Sequence, residues 1–183
     1  MIPIKFRFST FTAILAVILA SPNIAAAKSD IPSVVASIAA KYGESQPVCS
    51  FAVRDLFNHY YNTNELHNML SNDMVRYWSS GTPNWLSIEM DAAQEIANLG
   101  YFVVAGWEDK SGGLGHVSVI VSGEAVEGRW CGVNTLVPIS ADTGRDRREE
   151  SIGINWCYGR DKQHEVRFFY YHTPIPKRNK ARK

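Results

Sequence analysis

The chain has 183 residues, 45% of them hydrophobic and 20% charged, with a formal net charge of +1. That is enough apolar material for the core of one ordinary domain. The near-neutral sum hides an asymmetry: residues 28–176 hold 12 basic against 18 acidic side chains, and Lys177, Arg178, Lys180, Arg182 and Lys183 crowd the end. An acidic body with a short basic tail excludes a nucleic-acid-binding face, which would need the opposite sign.

In chain order, Lys5 and Arg7 precede an apolar run from Phe11 to Ala20, then Pro22 and Ala25-Ala26-Ala27. This charged, apolar and small-residue order predicts a secretory signal over residues 1–27, cleaved near Ala27/Lys28, and hence a secreted or periplasmic protein. The apolar run falls short of the roughly 20 residues that span a bilayer, so no stable membrane insertion is expected after cleavage. The expected domain is residues 28–176, and 177–183 are expected to be a disordered basic tail.

Ile31 to Tyr42 carries apolar residues at Val34, Val35, Ile38 and Ala39, which predicts a short amphipathic helix ended by Gly43; Glu44 to Pro47 read as a loop. Val53, Leu56, Phe57 and Tyr60 recur at helical spacing and predict a second helix, with Cys49 at its head. Asn72–Ser79 and Ser87–Leu99 are two further expected helices, the latter closed by Gly100. The pattern then changes. Tyr101–Trp107 reads as a strand, 108–115 as a polar glycine-rich turn, and His116–Val121 as the partner strand. Strands are also expected at Thr135–Ile139 and Val166–Tyr171, with 141–153 a loop. Helices followed by strands predict an α+β fold.

All three cysteines, Cys49, Cys131 and Cys157, follow the expected signal. In an oxidising compartment an odd count leaves one without an intramolecular partner. Cys131 in Trp130-Cys131-Gly132 and Cys157 in Trp156-Cys157-Tyr158-Gly159 have similar settings. They are expected to be spatial neighbours and a candidate disulfide, which leaves Cys49 as the thiol. A cysteine at a helix N-terminus feels the positive end of the dipole, which favours thiolate. An imidazole on a facing strand can hold the displaced proton and deliver it to a leaving amine. Cys49 and His116 are therefore the expected nucleophile and base.

The segments Cys49-Ser50-Phe51-Ala52-Val53, Gly106-Trp107 and Gly115-His116-Val117-Ser118-Val119-Ile120-Val121 resemble the papain-like peptidoglycan hydrolases grouped as the NlpC/P60 and CHAP superfamily, over roughly residues 45–175. The resemblance implies a papain-like fold with N-terminal helices packed on a small antiparallel sheet. It implies a cysteine amidase or endopeptidase that cuts peptidoglycan stem peptides through Cys49, His116 and a third polar residue. No metal and no organic cofactor are implied. Two departures stand out: the family's Asp-Cys-Ser-Gly reads Val48-Cys49-Ser50-Phe51 here, and no histidine lies between His116 and His164 to serve as third member. Asp142, following the next expected strand, is the first choice for that role, with Asn134 and Glu127 as alternatives.

Trp107, beside the hairpin turn, is a candidate for lining a substrate groove, whereas Trp85 is expected in the core. His59, His67, His164 and His172 lack metal-ligand spacing and read as surface or packing residues. The expected partner is a peptidoglycan peptide substrate, and a proteinaceous inhibitor is a further candidate. Rival readings are a non-catalytic secreted binding or inhibitory module on the same scaffold and an acyltransferase of transglutaminase type. A toxin-like cell-wall effector would be the same enzyme in another role.

Overall fold

The computed structural model describes residues 48–143 and 149–176, together with Ile31, Ser33, Val34, Ser37 and Ala40. The expected signal peptide, the 44–47 loop and the basic tail lie outside the described residues. The five residues between 31 and 40 are helical, as expected, and Ile31 is buried in the core.

The first fully described helix, α1 (Val48–Tyr61), buries Cys49, Ala52, Val53, Leu56 and Phe57. That spacing of three and four residues makes one stripe. The thiol therefore sits on the same stripe that seats the helix. Phe57 lies at the centre of an aromatic cluster, with ring centroids 4.8 Å from Tyr61, 5.2 Å from Trp85, 5.4 Å from Phe102 and 4.9 Å from Tyr171. Helix α2 (Ser71–Ser79) follows, burying Met74, Val75 and Trp78. Trp85 is buried as expected, and its indole N–H donates to Glu65 Oε1 at 2.7 Å.

The expected 87–99 helix is shorter than the sequence pattern. Trp85–Ile88 forms strand β1, and helix α3 covers only Met90–Asn98. Gly100, at φ +88°, ends it in the left-handed conformation that glycine adopts without strain. The expected hairpin is present as β2 (Tyr101–Trp107) and β3 (His116–Ile120), with Trp107 opposite His116.

Beyond β3 the sequence reading needs correction. The expected strand 135–139 is divided at Pro138. Its first part belongs to β5 (Val133–Val137), which pairs with β4 (Val126–Trp130) in a separate two-stranded ribbon. Its last residue opens β6 (Ile139–Asp142) of the main sheet. The expected 141–153 loop contains the end of β6 and strand β7 (Glu149–Gly153). Strands this short, with buried Ser140 and Asp142 among their residues, carry little apolar alternation to detect in the sequence. Strand β8 (Arg167–Pro174) closes an antiparallel sheet in the order β1-β8-β2-β3-β6-β7.

The fold is thus α+β, but the helices do not share one face of the sheet. Phe102, Val104, Val117, Val119 and Phe169 pack with the stripes of α1 and α2, whereas their neighbours Val103, Ala105, Ile120 and Phe168 pack with Ala93 and Ala97 of α3. The two-residue period of the strands feeds two cores. Gly106 lets α2 approach, because a Cβ there would lie 2.5 Å from Val75 Cγ2. Buried Gln94 of α3 holds the central strands together: its Nε2 donates to Val121 O at 2.9 Å, and its Oε1 accepts from Ile139 N at 2.8 Å.

Phe57→Ala, which empties the centre of the aromatic cluster, is expected to cost about 3–5 kcal/mol of unfolding free energy. Urea denaturation of the variant against the parent checks this.

Candidate active site

Cys49 is the second residue of α1, and its N–H has no acceptor within the helix. His116 is the first residue of β3. Asp142 is the last residue of β6, the next strand in the sheet, where Val119 pairs with Ala141 and Ile120 with Ser140. Continuing that register puts Asp142 opposite Ser118, and so on the same face as His116 and two positions along it. Diagonal neighbours of this kind are within reach of long side chains.

The three side chains meet. His116 Nε2 lies 3.0 Å from Asp142 Oδ1. This is an ion-pair contact, although the nitrogen is not aimed along a hydrogen-bond axis. The imidazole is also electrostatically coupled to the Cys49 thiol, for which its other ring nitrogen is left. Cys49 is 6% exposed and the Asp142 side chain 3%, while the His116 side chain keeps 18% of its surface open.

Burial alone would push the Cys49 thiol up. Against it act the His116 hydrogen bond and charge, the Ser71 hydroxyl and the Val117 backbone, and together they hold the thiol below its ordinary value. For His116, burial disfavours the charged ring, but Asp142 and Cys49 outweigh it and raise the imidazolium to about 10. Both shifts favour one state, a thiolate beside an imidazolium. That is a nucleophile with a proton donor in contact.

Three contributors escaped the sequence reading. Ser71, the first residue of α2 and 5% exposed, shares a 3.2 Å hydrogen bond with Cys49 Sγ. Asn72 beside it grips the β2–β3 turn: its Nδ2 donates to Gly113 O at 2.9 Å and to Asp109 O at 3.4 Å, and its Oδ1 accepts from Asp109 N at 2.9 Å. A Cβ on Gly115 would overlap Asn72 Oδ1 and Trp107 O, so the residue before His116 has to be glycine for this grip to close. Tyr158, fully enclosed, packs edge-on to the imidazole at 5.1 Å between centroids. Its hydroxyl donates to Ala105 O at 2.8 Å and lies 3.2 Å from Ser118 Oγ. Burial holds its phenol neutral by raising it well above the usual range. The serine and asparagine that precede a helical pattern were a helix-start signal in the sequence, but nothing there told what their side chains would face.

The other expectations divide. Asn134 and Glu127 lie exposed on the β4–β5 ribbon, whose strands pair with each other and not with β3, so neither takes the place of Asp142. Trp107 is half-buried with Lys162 Nζ 4.5 Å above its ring, packed against the α3-side core. Cys131 and Cys157 form no disulfide. Cys131 (φ +50°) and Gly132 (φ +86°) are the two left-handed residues of the ribbon turn, as a tight hairpin requires. Cys157 Sγ instead contacts Ser140 Oγ at 2.9 Å. His59, His67, His164 and His172 are exposed, as expected of surface residues. Among the described residues no group of three or more His, Cys, Asp or Glu side chains could hold a metal ion.

No protein-family model matches the chain, and no curated protein matches it either.

Alkylation of Cys49 by iodoacetamide is expected to reach its maximal rate at a lower pH than an ordinary thiol does, because its surroundings favour the thiolate. An ordinary thiol loses about tenfold in thiolate for each pH unit below its pKa. His116→Ala is expected to move the rate profile to higher pH, because the imidazolium that holds the thiolate is gone. Stopped alkylation time courses across pH 5–10 test both expectations; an ordinary profile in the parent protein would contradict the ion pair.

Proposed function

We propose that the protein is an exported cysteine amidase or endopeptidase of papain-like, NlpC/P60–CHAP type that hydrolyses amide bonds in peptidoglycan stem peptides. The observation that carries this reading is a buried thiol at a helix head, electrostatically coupled to an imidazole whose Nε2 lies 3.0 Å from a buried carboxylate. The layout supports it too. The nucleophile helix packs on an antiparallel sheet, and the third residue lies on the strand next to the histidine strand, the place where the family carries its own. Here Asp142 supplies a carboxylate where the family often has an imidazole, and the β4–β5 ribbon accounts for the sequence distance between β3 and β6.

In the resting state the proton resides on His116 and the negative charge on Cys49. The thiolate adds to the amide carbonyl carbon, and the carbonyl electron pair moves to oxygen. The Cys49 N–H has no acceptor within its helix and can donate to that oxygen. Collapse reforms the carbonyl, breaks the carbon–nitrogen bond, and takes the His116 proton to the departing amine. The ring, now neutral, accepts a proton from water as that water attacks the thioester, and Cys49 leaves as thiolate beside a reprotonated imidazolium. Asp142 fixes which nitrogen faces the sulfur and stabilises the charged ring. Half-buried Trp107, with Lys162 Nζ over its ring, stays a candidate for lining the substrate groove.

Digestion of purified sacculi followed by mass spectrometry of the released muropeptides tests activity and bond together. Cys49→Ala is expected to abolish release. Asp142→Asn keeps the shape but offers the ring the wrong partner, and is expected to lower kcat on the order of 10²–10⁴-fold. Sacculi left intact by the parent protein, with a rapidly alkylating Cys49, would favour the binding-module or acyltransferase alternatives over hydrolysis.

A further inference from the structure

We infer that Ser71 is a catalytic residue of this site, its hydroxyl serving as a second oxyanion donor beside the Cys49 N–H. This rests on the acyl-transfer reading above, and adds to it a group drawn from a different helix. The observation is positional. Ser71 Oγ lies 3.2 Å from Cys49 Sγ in a buried contact, and this is the hydroxyl's side-chain hydrogen bond among the described residues. Once the sulfur is a thiolate it has no proton to give, so the hydroxyl donates.

The chemistry then moves the acceptor. When the thiolate adds to a carbonyl carbon, the sulfur spends its charge on the new carbon–sulfur bond and the charge passes to the carbonyl oxygen. That oxygen is held on the carbon now bonded to sulfur, two bonds from the atom that the hydroxyl already touches. A small rotation about the Ser71 side chain transfers the donated hydrogen from sulfur to oxygen, and collapse of the adduct transfers it back. No proton is lost by Ser71 in either direction: it changes partner, while the proton for the leaving amine comes from His116.

Two features make Ser71 a prepared donor and not a passing contact. It is 5% exposed, so its hydroxyl has little water to turn to. Its main chain is fixed from the next residue, where Asn72 makes three hydrogen bonds to the turn that leads into His116. The head of α2 thus ties the donor to the same turn that places the imidazole. Donors whose position is set before the reaction stabilise developing charge most effectively.

The test compares two reactions of one nucleophile. Acylation of Cys49 by p-nitrophenyl acetate passes through a tetrahedral oxyanion, whereas alkylation by iodoacetamide displaces iodide and forms none. The titratable groups around the sulfur are His116 on β3, Asp142 on β6 behind it and Tyr158 beneath the ring. All three are unchanged in the variants, and both reactions are run at the pH of maximal alkylation. Ser71→Ala is expected to slow the p-nitrophenolate burst on the order of 10²-fold, with alkylation changed less than about threefold. Ser71→Thr, which keeps the hydroxyl, should restore most of the burst. Equal slowing of the two reactions would reduce Ser71 to a thiolate partner and overturn the inference, as would a burst that Ser71→Ala leaves unchanged. Because neither reagent is a cell-wall substrate, the result stands apart from whether sacculi are cleaved.

Discussion

The arrangement depends on one interaction, the electrostatic coupling of Cys49 sulfur and His116 imidazole where a helix head reaches the margin of the sheet. Charges enclosed to this degree are costly unless each finds compensating partners. Here the sulfur is met by His116, Ser71 and the Val117 backbone, and the ring by Asp142. The compensation comes from four elements: α1, α2, β3 and β6. None can shift without stranding a charge, so the site constrains the packing as much as the packing positions the site.

The scaffold answers that constraint with rigid anchors outside the reacting atoms. Gly106 brings α2 close enough to the sheet for its first residues to reach the sulfur and the turn. Asn72 fixes that turn, Tyr158 closes the space behind the imidazole, and Gln94 joins the ends of the strands that carry His116 and Asp142. His116 begins on the α3 side of the sheet, while Cys49 belongs to the core on the other side. They can touch only because His116 is the first residue of its strand, where the sheet no longer separates the two layers.

Much of this was legible in the residues. The stripe from Val53 to Tyr60 made α1 readable as a helix with Cys49 at its head, and the β-branched run after His116 made β3 readable as a strand. Asp142 was legible only by its place after an expected strand, and its partnership with His116 follows from the order β3-β6 in the sheet. The pairing passes over an inserted ribbon, and non-local order leaves no local pattern. The disulfide expectation failed for a related reason. Similar flanking residues at Cys131 and Cys157 report local chemistry, but Cys131 was taken up by a left-handed turn, a backbone role that its neighbours did not announce. The periodicity starts a helix at Asn72 and does not mark Ser71, while their side chains are turned to α1 and to the β2–β3 turn.

By itself the sequence determined the elements whose periodicity is strong, the mixed α+β class, and which thiol and which imidazole were worth pairing. Periodicity and propensity act over a few residues, so they register wherever burial repeats along the chain. The tertiary structure alone decided that the helices divide between two faces, that β6 lies beside β3, and that a serine and an asparagine from a third element complete the surroundings of the sulfur. Those outcomes turn on contacts between segments far apart in the chain, whose free energy exists only once the layers have packed.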